Sequence, residues 1–145
     1  KFFNKKVILS THPRTLKKVE SLNLMKSYRN IKFIKPLGFI DYISLQKNSF
    51  CVISDSGTIA EESSLLGFPA IMMRMNHERP EAFDKGVLIK SFNKSDDLIN
   101  SINYVVSTNN ISSKAIVDDY NETNVSVKVV RNILSYIDNA KSKYN

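Results

Sequence analysis

Short apolar runs alternate with segments of helical periodicity along the whole chain, and this alternation limits the possible folds more than any other feature. The apolar runs are continuous, which is typical of parallel strands that helices cover on both faces of a sheet. Strands are predicted at residues 5–10, 31–34, 50–54, 70–74 and 87–90. The sequence therefore predicts an α/β fold with a doubly wound, Rossmann-like parallel sheet.

The segments between the strands have the apolar spacing of amphipathic helices. The first begins at Pro13, which suits the first turn of a helix because its missing N–H costs nothing there. Its apolar face consists of Leu16, Val19, Leu22 and Met25. Further helices are predicted at 39–47, 59–66, just after residue 80, 95–106 and 125–140, and the polar stretch 107–124 is predicted to be a loop.

Composition places the chain among ordinary globular domains. It has 145 residues, of which 42% are hydrophobic and 24% are charged, so it can bury one core and is not expected to be disordered. No apolar stretch reaches the roughly 18 to 20 residues of a membrane helix. We therefore expect residues 1–145 to form a single domain without a membrane partner.

Charge and cysteine content narrow the function classes further. The net charge is +7, but the lysines are scattered and form neither a basic block nor a basic ladder with aromatic residues. This pattern predicts no nucleic-acid partner. The lone Cys51 lies in an apolar run without a visible cause for a low pKa, so a buried core thiol is favoured over a catalytic one. It also favours a reducing, cytoplasmic setting.

Polar and charged residues concentrate just after the predicted strands. Open parallel sheets bind their ligands at the carboxyl ends of the strands. The segments in question are 11–14, 36–42, 55–62 and 74–81. Functional residues are therefore expected in these four segments.

The segment 54–62, Ser-Asp-Ser-Gly-Thr-Ile-Ala-Glu-Glu, is the strongest candidate. A strand leads into a turn of small residues, and a helix begins there with amide groups and a positive dipole end that favour a phosphate. Gly57 allows a ligand to approach the backbone closely. The hydroxyls of Ser56 and Thr58 are potential donors to phosphate oxygens.

Simple capping is the alternative interpretation of this segment. Thr58 and Glu61 are three residues apart, which fits a capping box without any ligand. Capping leaves Glu62 unexplained, whereas a carboxylate near such a helix tip commonly accepts hydrogen bonds from a ribose.

Two further segments supply candidate residues, each with a structural alternative. Arg79 can grip a phosphate with its planar fork of donors, or form a surface ion pair with Glu78 or Glu81. His12, at the end of the first strand, can be an acid, a base or a phosphate ligand, although a lone histidine is more often structural. Arg14 beside it can serve a phosphate or face solvent.

Common nucleotide and metal motifs are absent, including GxGxxG, the P-loop, HExxH and metal-spaced Cys/His clusters. Five segments instead resemble, in residue type, order and spacing, the non-hydrolysing UDP-N-acetylglucosamine 2-epimerases. They are 11–14 (Thr-His-Pro-Arg), 54–62, 66–69 (Leu-Gly-Phe-Pro), 73–74 (Met-Arg) and 78–82 (Glu-Arg-Pro-Glu-Ala).

The resemblance implies a GT-B arrangement, in which a UDP-sugar lies between two Rossmann-like domains. The chain is similar to the C-terminal domain, so the resemblance implies an N-terminal domain that this chain lacks, and a homodimer for the full enzyme. By position, Ser56, Gly57 and Thr58 would contact the diphosphate through the helix N-terminus. Glu62 would hold the ribose hydroxyls, and Arg79 would neutralise phosphate charge.

Two more roles follow from the resemblance. Tyr42 matches the aromatic position beside the uracil, and His12 matches a histidine near the diphosphate that is important for turnover. The family reaction inverts C2 by eliminating UDP to a 2-acetamidoglycal and adding it back from the other face, with neither metal nor nicotinamide. Its acid and base carboxylates lie in the N-terminal domain, so this chain alone is predicted to be inactive.

Some details point to a subgroup, and other classes stay open. Thr58 stands where many members have glycine, and His77 precedes Glu78; both features resemble the branch that acts on 6-deoxy UDP-sugars for surface polysaccharides. A GT-B glycosyltransferase uses a similar C-terminal UDP site, although the segment 78–81 disfavours it. A non-catalytic nucleotide-binding module is the third class.

Overall fold

The structure is a computed structural model that describes residues 2–23, 28, 30–76, 79–92, 94–112 and 116–143. The chain divides into two compact units, Lys1–Gln46 and Lys47–Asn145. Each unit contains parallel strands joined by helices. This confirms the predicted α/β class.

The first unit is a parallel strand pair with its helices. Its elements are β1 (Val7–Ser10), α1 (Pro13–Ser21), β2 (Ile31–Ile34) and α2 (Phe39–Lys47). Strand β1 pairs with β2 from Val7 opposite Ile31 to Ser10 opposite Ile34. Pro13 occupies the first turn of α1, as predicted. Helix α1 ends at Ser21, and Met25 of the predicted apolar face lies outside the described residues.

The prediction that β1 is a buried strand was wrong. All four of its residues are exposed, and Val7, Ile8 and Leu9 keep 41–49% of their surface accessible to solvent. An apolar run predicts a strand because of its local preference, but burial requires neighbouring elements on both faces. A unit of this size has too little chain to provide them.

The second unit is built on a three-stranded parallel sheet with the order β3-β4-β5. Its strands are β3 (Val52–Ser54), β4 (Ala70–Met72) and β5 (Ile89–Lys90). Its helices are α3 (Ile59–Leu66), α4 (Glu81–Asp84), α5 (Ser95–Ser112), a 3₁₀ turn (Asp118–Tyr120) and α6 (Val125–Lys143). Each of the three strands is two residues shorter than the apolar run that predicted it, because terminal residues leave the hydrogen-bonded ladder first.

The core lies in this second unit and surrounds β4. All three residues of β4 are buried, since the strand has a neighbour on each side and helices α3 and α5 pack against it. One cluster of buried apolar residues forms this core: Ile59, Ala60, Phe68, Ala70, Met72, Ala82, Val87, Leu88 and Val117. Helix α3 ends, as predicted, at Gly67, whose left-handed φ of 69° favours glycine.

The segment 107–124 differs from the predicted loop. Helix α5 continues to Ser112, and a 3₁₀ turn forms at Asp118–Tyr120. The buried Val117 amide donates a hydrogen bond to Ser64 Oγ at 2.9 Å, which ties this segment to α3. The sequence did not predict this structure because the segment is polar, and a tertiary contact such as this hydrogen bond leaves no periodic pattern in the local sequence.

Helix α6 is amphipathic, and its residues 125–137 are exposed. Its apolar residues Val130, Ile133, Leu134 and Ile137 keep 40–64% of their surface accessible. The predicted face therefore exists, and no described element of the second unit buries it. Within the described part of the chain, none of the helices combines the length and apolarity of a membrane span.

Candidate functional site

The N-terminal tip of α3 presents a cluster of small polar groups. The turn after β3 is held by the Ser56 amide, which donates to Ser54 Oγ at 3.1 Å. The Ser56 and Thr58 hydroxyls lie 3.0 Å apart and are hydrogen-bonded to each other on the exposed side of the turn. The Ser56 amide is thus engaged within the protein, whereas the hydroxyl pair is exposed.

The capping-box alternative was wrong. Thr58 occupies the N-cap position, but its backbone is already helical and its side chain makes no capping hydrogen bond. The side chain of Glu61 does not return to the N-cap either, because its Oε1 atom lies 2.6 Å from Arg79 Nε. The side chains of Thr58 and Glu61 therefore do not make the two reciprocal hydrogen bonds of a capping box at the N-terminus of α3.

Arg79 lies directly on Gly57. A methyl group placed at the Cβ position of Gly57 would overlap Arg79 Nη1, so glycine is the residue that permits this approach. Arg79 follows β4 and Gly57 follows β3, and these strands are parallel neighbours. The carboxyl ends of the two strands therefore bring a guanidinium to the tip of α3.

The ion pair of Arg79 differs from the structural alternative considered for it. Its partner is Glu61 of α3, while Glu78 lies outside the described residues. The Glu81 carboxylate instead accepts a hydrogen bond from the Tyr120 hydroxyl at 2.6 Å. Both side chains of the Arg79–Glu61 pair are about one-third exposed, at 34% and 32%, so the pair lies at the border of the solvent.

Tyr120 remains a hydrogen-bond donor at neutral pH. Burial raises its pKa above the usual range of a phenol, and the hydrogen bond to Glu81 and the negative charges of Glu81 and Glu61 act in the same direction, against the charge of Arg79. The interaction with Glu81 secures the first residue of α4, two positions after Arg79. The 3₁₀ turn therefore supports the segment that carries the guanidinium.

Glu62 lies in the first turn of α3, next to Glu61, and is half-buried. Its amide donates to the Thr58 carbonyl at 3.0 Å, which fixes it in the helix one turn from the tip. This is the predicted place for a carboxylate near a helix-bound ligand. Glu61 and Tyr120 were missed by sequence reasoning. The signal for Glu61 was the parallel order of β3 and β4, which places the turns after them at the same edge, whereas nothing local marked Tyr120.

The remaining predicted residues belong to the first unit. His12 is the N-cap of α1, and its Nδ1 atom accepts a hydrogen bond from the Arg14 amide at 3.3 Å. This supports the structural interpretation of His12 without using its other nitrogen, which carries the proton when the ring is neutral. Arg14 is exposed. Tyr42 lies half-buried in α2, where its amide donates to the Gly38 carbonyl at 2.9 Å.

Chemically, the second-unit cluster is suited to an anion. A guanidinium, two hydroxyls and the positive end of a helix lie together, and such groups bind phosphate oxygens. Among the described residues, no group of three or more His, Cys, Asp or Glu side chains is arranged to hold a metal ion.

Cys51, just before β3, is expected to be unreactive. Burial raises the pKa of its thiol to about 12, and its sulfur donates to the Val52 carbonyl at 3.7 Å. The thiolate is the reactive form, so at pH 8 the folded protein should react with an aromatic disulfide reagent roughly a thousandfold more slowly than the unfolded chain. Absorbance of the released thiol, with and without denaturant, measures this ratio, and equal rates would contradict it.

Comparisons with known proteins agree with one another. The family model for UDP-N-acetylglucosamine 2-epimerase matches residues 1–134. A UDP-N-acetylglucosamine 2-epimerase of Methanocaldococcus jannaschii is 35% identical over 108 residues, which are 72% of this chain and 30% of that protein. The structure of the Rickettsia bellii enzyme of the same name aligns with a TM-score of 0.84 and 43% identity, over 94% of this chain and 38% of that one.

A second solved structure contains ligands. The M. jannaschii UDP-GlcNAc 2-epimerase, in complex with UDP-GlcNAc and UDP, aligns with a TM-score of 0.79 and 32% identity, over 93% of this chain and 37% of that one. The chain thus spans between 30% and 38% of the length of these relatives. With a family model that covers most of its residues, the chain belongs to the UDP-N-acetylglucosamine 2-epimerase family.

Proposed function

We propose that this chain binds the UDP part of a UDP-2-acetamido sugar, with the diphosphate at the tip of α3. The observation that supports it most is the Arg79 guanidinium lying against Gly57, where a side chain on residue 57 would exclude it. The solved M. jannaschii relative that holds UDP-GlcNAc and UDP supports the choice of nucleotide. The exposed hydroxyl pair at the same tip supplies further donors.

Each predicted residue has a role in this proposal. Arg79, with the hydroxyls of Ser56 and Thr58, binds the diphosphate, and Gly57 leaves room for it. Glu62 accepts hydrogen bonds from the ribose hydroxyls. The roles of the two first-unit residues remain separate predictions. Tyr42 is predicted to lie beside the uracil. His12 is predicted to lie near the diphosphate and to act through Nε2, because its Nδ1 atom accepts the N-cap hydrogen bond.

We propose that the complete protein inverts C2 of its substrate by eliminating and re-adding UDP. In the elimination, the C1–O bond breaks and its electron pair leaves with the β-phosphate of UDP. The C2 proton passes to a base, and the C2–H electron pair forms the C1=C2 double bond. Negative charge grows on the departing diphosphate, so a preorganised guanidinium and helix tip would stabilise the transition state more than the ground state. The acid and base carboxylates would come from the N-terminal domain.

Titration calorimetry with UDP tests the binding proposal. A folded sample of the 145-residue chain should bind UDP weakly, with a Kd on the order of 1 mM, because the proposed ligand surface is only partly supplied. Uridine, which has no phosphate, is the control ligand and should bind less tightly. No heat of binding at several times that concentration, from a sample with folded circular dichroism, would contradict the proposal.

Replacing Gly57 by alanine should lower UDP affinity about tenfold, because the new methyl group would displace the Arg79 guanidinium that lies against it. The protein should remain equally stable, since Gly57 has no left-handed φ that only glycine tolerates. Gly38→Ala is the matched control: nothing lies within 4 Å of its Cβ position. Calorimetry on the complete protein measures both variants, and equal affinities would contradict the role of Gly57.

Several finer points belong to the same proposal. The apolar residues exposed on α6 support a partner for this chain, and we propose that the N-terminal domain of the complete protein covers them. Homodimerisation, a cytoplasmic location, a 6-deoxy UDP-sugar substrate and a role in surface polysaccharide synthesis remain predictions. Glycosyl transfer to an acceptor by the complete protein would favour the GT-B glycosyltransferase alternative.

A further inference from the structure

We propose that Glu61 is a positioning residue, which holds the Arg79 guanidinium with its terminal nitrogens toward the tip of α3. This inference rests on the proposed function, because it assumes that a diphosphate binds at that tip. Glu61 would not touch the ligand itself. It would act through Arg79 alone.

The geometry of the ion pair supports this role. The ion pair joins Glu61 Oε1 to Arg79 Nε at 2.6 Å, so the carboxylate engages the inner nitrogen of the guanidinium. A guanidinium is planar, and a bond to Nε together with the side-chain direction fixes the plane of the whole group. With Nε engaged by Glu61, Nη1 is the atom that lies against Gly57. The terminal nitrogen Nη1 therefore faces the place proposed for the diphosphate.

The same pair is poorly suited to a purely stabilising role. Its side chains are about one-third exposed, and ion pairs near the surface contribute little to stability. Glu61 Oε2 is buried and has no hydrogen-bond partner among the described residues, which is unfavourable for a carboxylate. A bidentate contact with both terminal nitrogens would satisfy both oxygens but would turn these donors away from Gly57.

The backbone next to Arg79 is secured from the other side. The Pro80 carbonyl accepts hydrogen bonds from the amides of Phe83 and Asp84, at 2.9 and 3.0 Å. The Tyr120 hydroxyl binds Glu81. These contacts hold the start of α4, directly after Arg79, and the ion pair with Glu61 restricts the Arg79 side chain.

Positioning and simple electrostatics predict opposite signs. Glu61 is a negative group close to the site proposed for an anion. If it acted only through its charge, removing it would strengthen UDP binding, because one repulsive interaction would be lost. If it positions Arg79, removing it weakens UDP binding, because the guanidinium loses its fixed direction.

The test is a set of UDP titrations on the complete protein. Glu61→Met has nearly the same shape and no acceptor, and should weaken UDP binding about tenfold, the factor expected for one charge-assisted hydrogen bond. Glu61→Gln retains a neutral acceptor for Arg79 Nε and should keep most of the affinity. Glu122→Gln removes the carboxylate of a different surface ion pair, with Lys128, and should change nothing.

A double-mutant cycle identifies the route of the effect. In an Arg79→Ala background, Glu61→Met should cause no further loss of UDP affinity. Loss by the same factor in both backgrounds, or unchanged or tighter binding by Glu61→Met in the wild-type background, would overturn the inference. Should Glu61→Met not fold, Glu61→Asp replaces it: this variant keeps the charge but withdraws the carboxylate, and undiminished UDP affinity would overturn the inference as well.

Failure of the proposed function has a different signature. In that case the wild-type protein itself would not bind UDP, and the positioning role would fall with it. Wild-type binding with an unaffected or tighter-binding Glu61→Met variant would instead refute the positioning role alone.

Discussion

Replacing Arg79 by alanine should weaken UDP binding by the complete protein about a hundredfold, or about 2.8 kcal/mol. The substitution removes a guanidinium that lies against Gly57 at the tip of α3. It also leaves the Glu61 carboxylate, now without its 2.6 Å partner, beside the proposed diphosphate. Both effects disfavour an anion, and together they make this the largest binding effect we expect from one residue. Titration calorimetry measures it.

Lys85→Ala is the matched control for this prediction. Lys85 is another cation of the second unit, and its Nζ atom lies 3.0 Å from a carboxylate oxygen of Asp118. If net charge alone attracted UDP, the two substitutions would weaken binding alike. Equal losses for Arg79→Ala and Lys85→Ala would therefore contradict a specific site at α3, whereas we expect the Lys85 variant to bind UDP as the wild type does.

Replacing Ile59 by alanine should lower the free energy of unfolding by about 3 kcal/mol. Ile59 is the first residue of α3, is 0% exposed, and belongs to the core around β4. The substitution removes buried methyl and methylene groups and leaves a cavity that the surrounding side chains fill only in part. Urea denaturation followed by circular dichroism measures the loss.

Leu65→Ala provides the comparison within the same helix. Leu65 also lies in α3 but keeps 46% of its surface accessible, so its truncation should cost less than about 1 kcal/mol in this chain. Both substitutions replace a branched aliphatic residue by alanine in one helix, which keeps the change in helix propensity small. Equal destabilisation by the two variants would contradict the orientation of α3 described here.

The site depends on this packing as well as on its own polar residues. Ile59 and Ala60 are buried immediately after the Ser56–Gly57–Thr58 turn, so the core fixes the start of the helix that the turn opens. A ligand bound to backbone and hydroxyl groups at a helix tip requires such fixed geometry, since a displacement of about 1 Å is enough to weaken hydrogen bonds. Stability of the core and affinity of the site are thus linked through α3.

Local sequence patterns determined most of the secondary structure. Strand β2 and helices α2 and α3 have the bounds that the sequence predicts, and Gly67 ends α3 as expected. These elements were predictable because periodicity and end signals are properties of neighbouring residues. The same applies to the turn at 54–58, where small residues between a strand and a helix predicted the place at which α3 begins.

Tertiary structure decided what the elements contact. Strand β1 and the apolar face of α6 are exposed, although their apolar residues alone predict burial. Hydrophobic periodicity identifies the apolar face of an element, but it does not identify the element that packs against that face. Thr58 and Glu61 have the spacing of a capping box, yet the Glu61 carboxylate forms an ion pair with Arg79, which lies beyond the next strand in the sequence. Tyr120 binds Glu81 across 39 positions, from a segment with no local signal.

The sequence by itself thus determined the α/β class, the helix tip at Ser56–Thr58 and the residue types around it, because these depend on local spacing and chemistry. Only the tertiary structure decided that Arg79 lies on Gly57 and is held by Glu61. The physical reason is that β3 and β4 pair in parallel, which brings the turns after them to one edge of the sheet although they are separated by a helix in the chain.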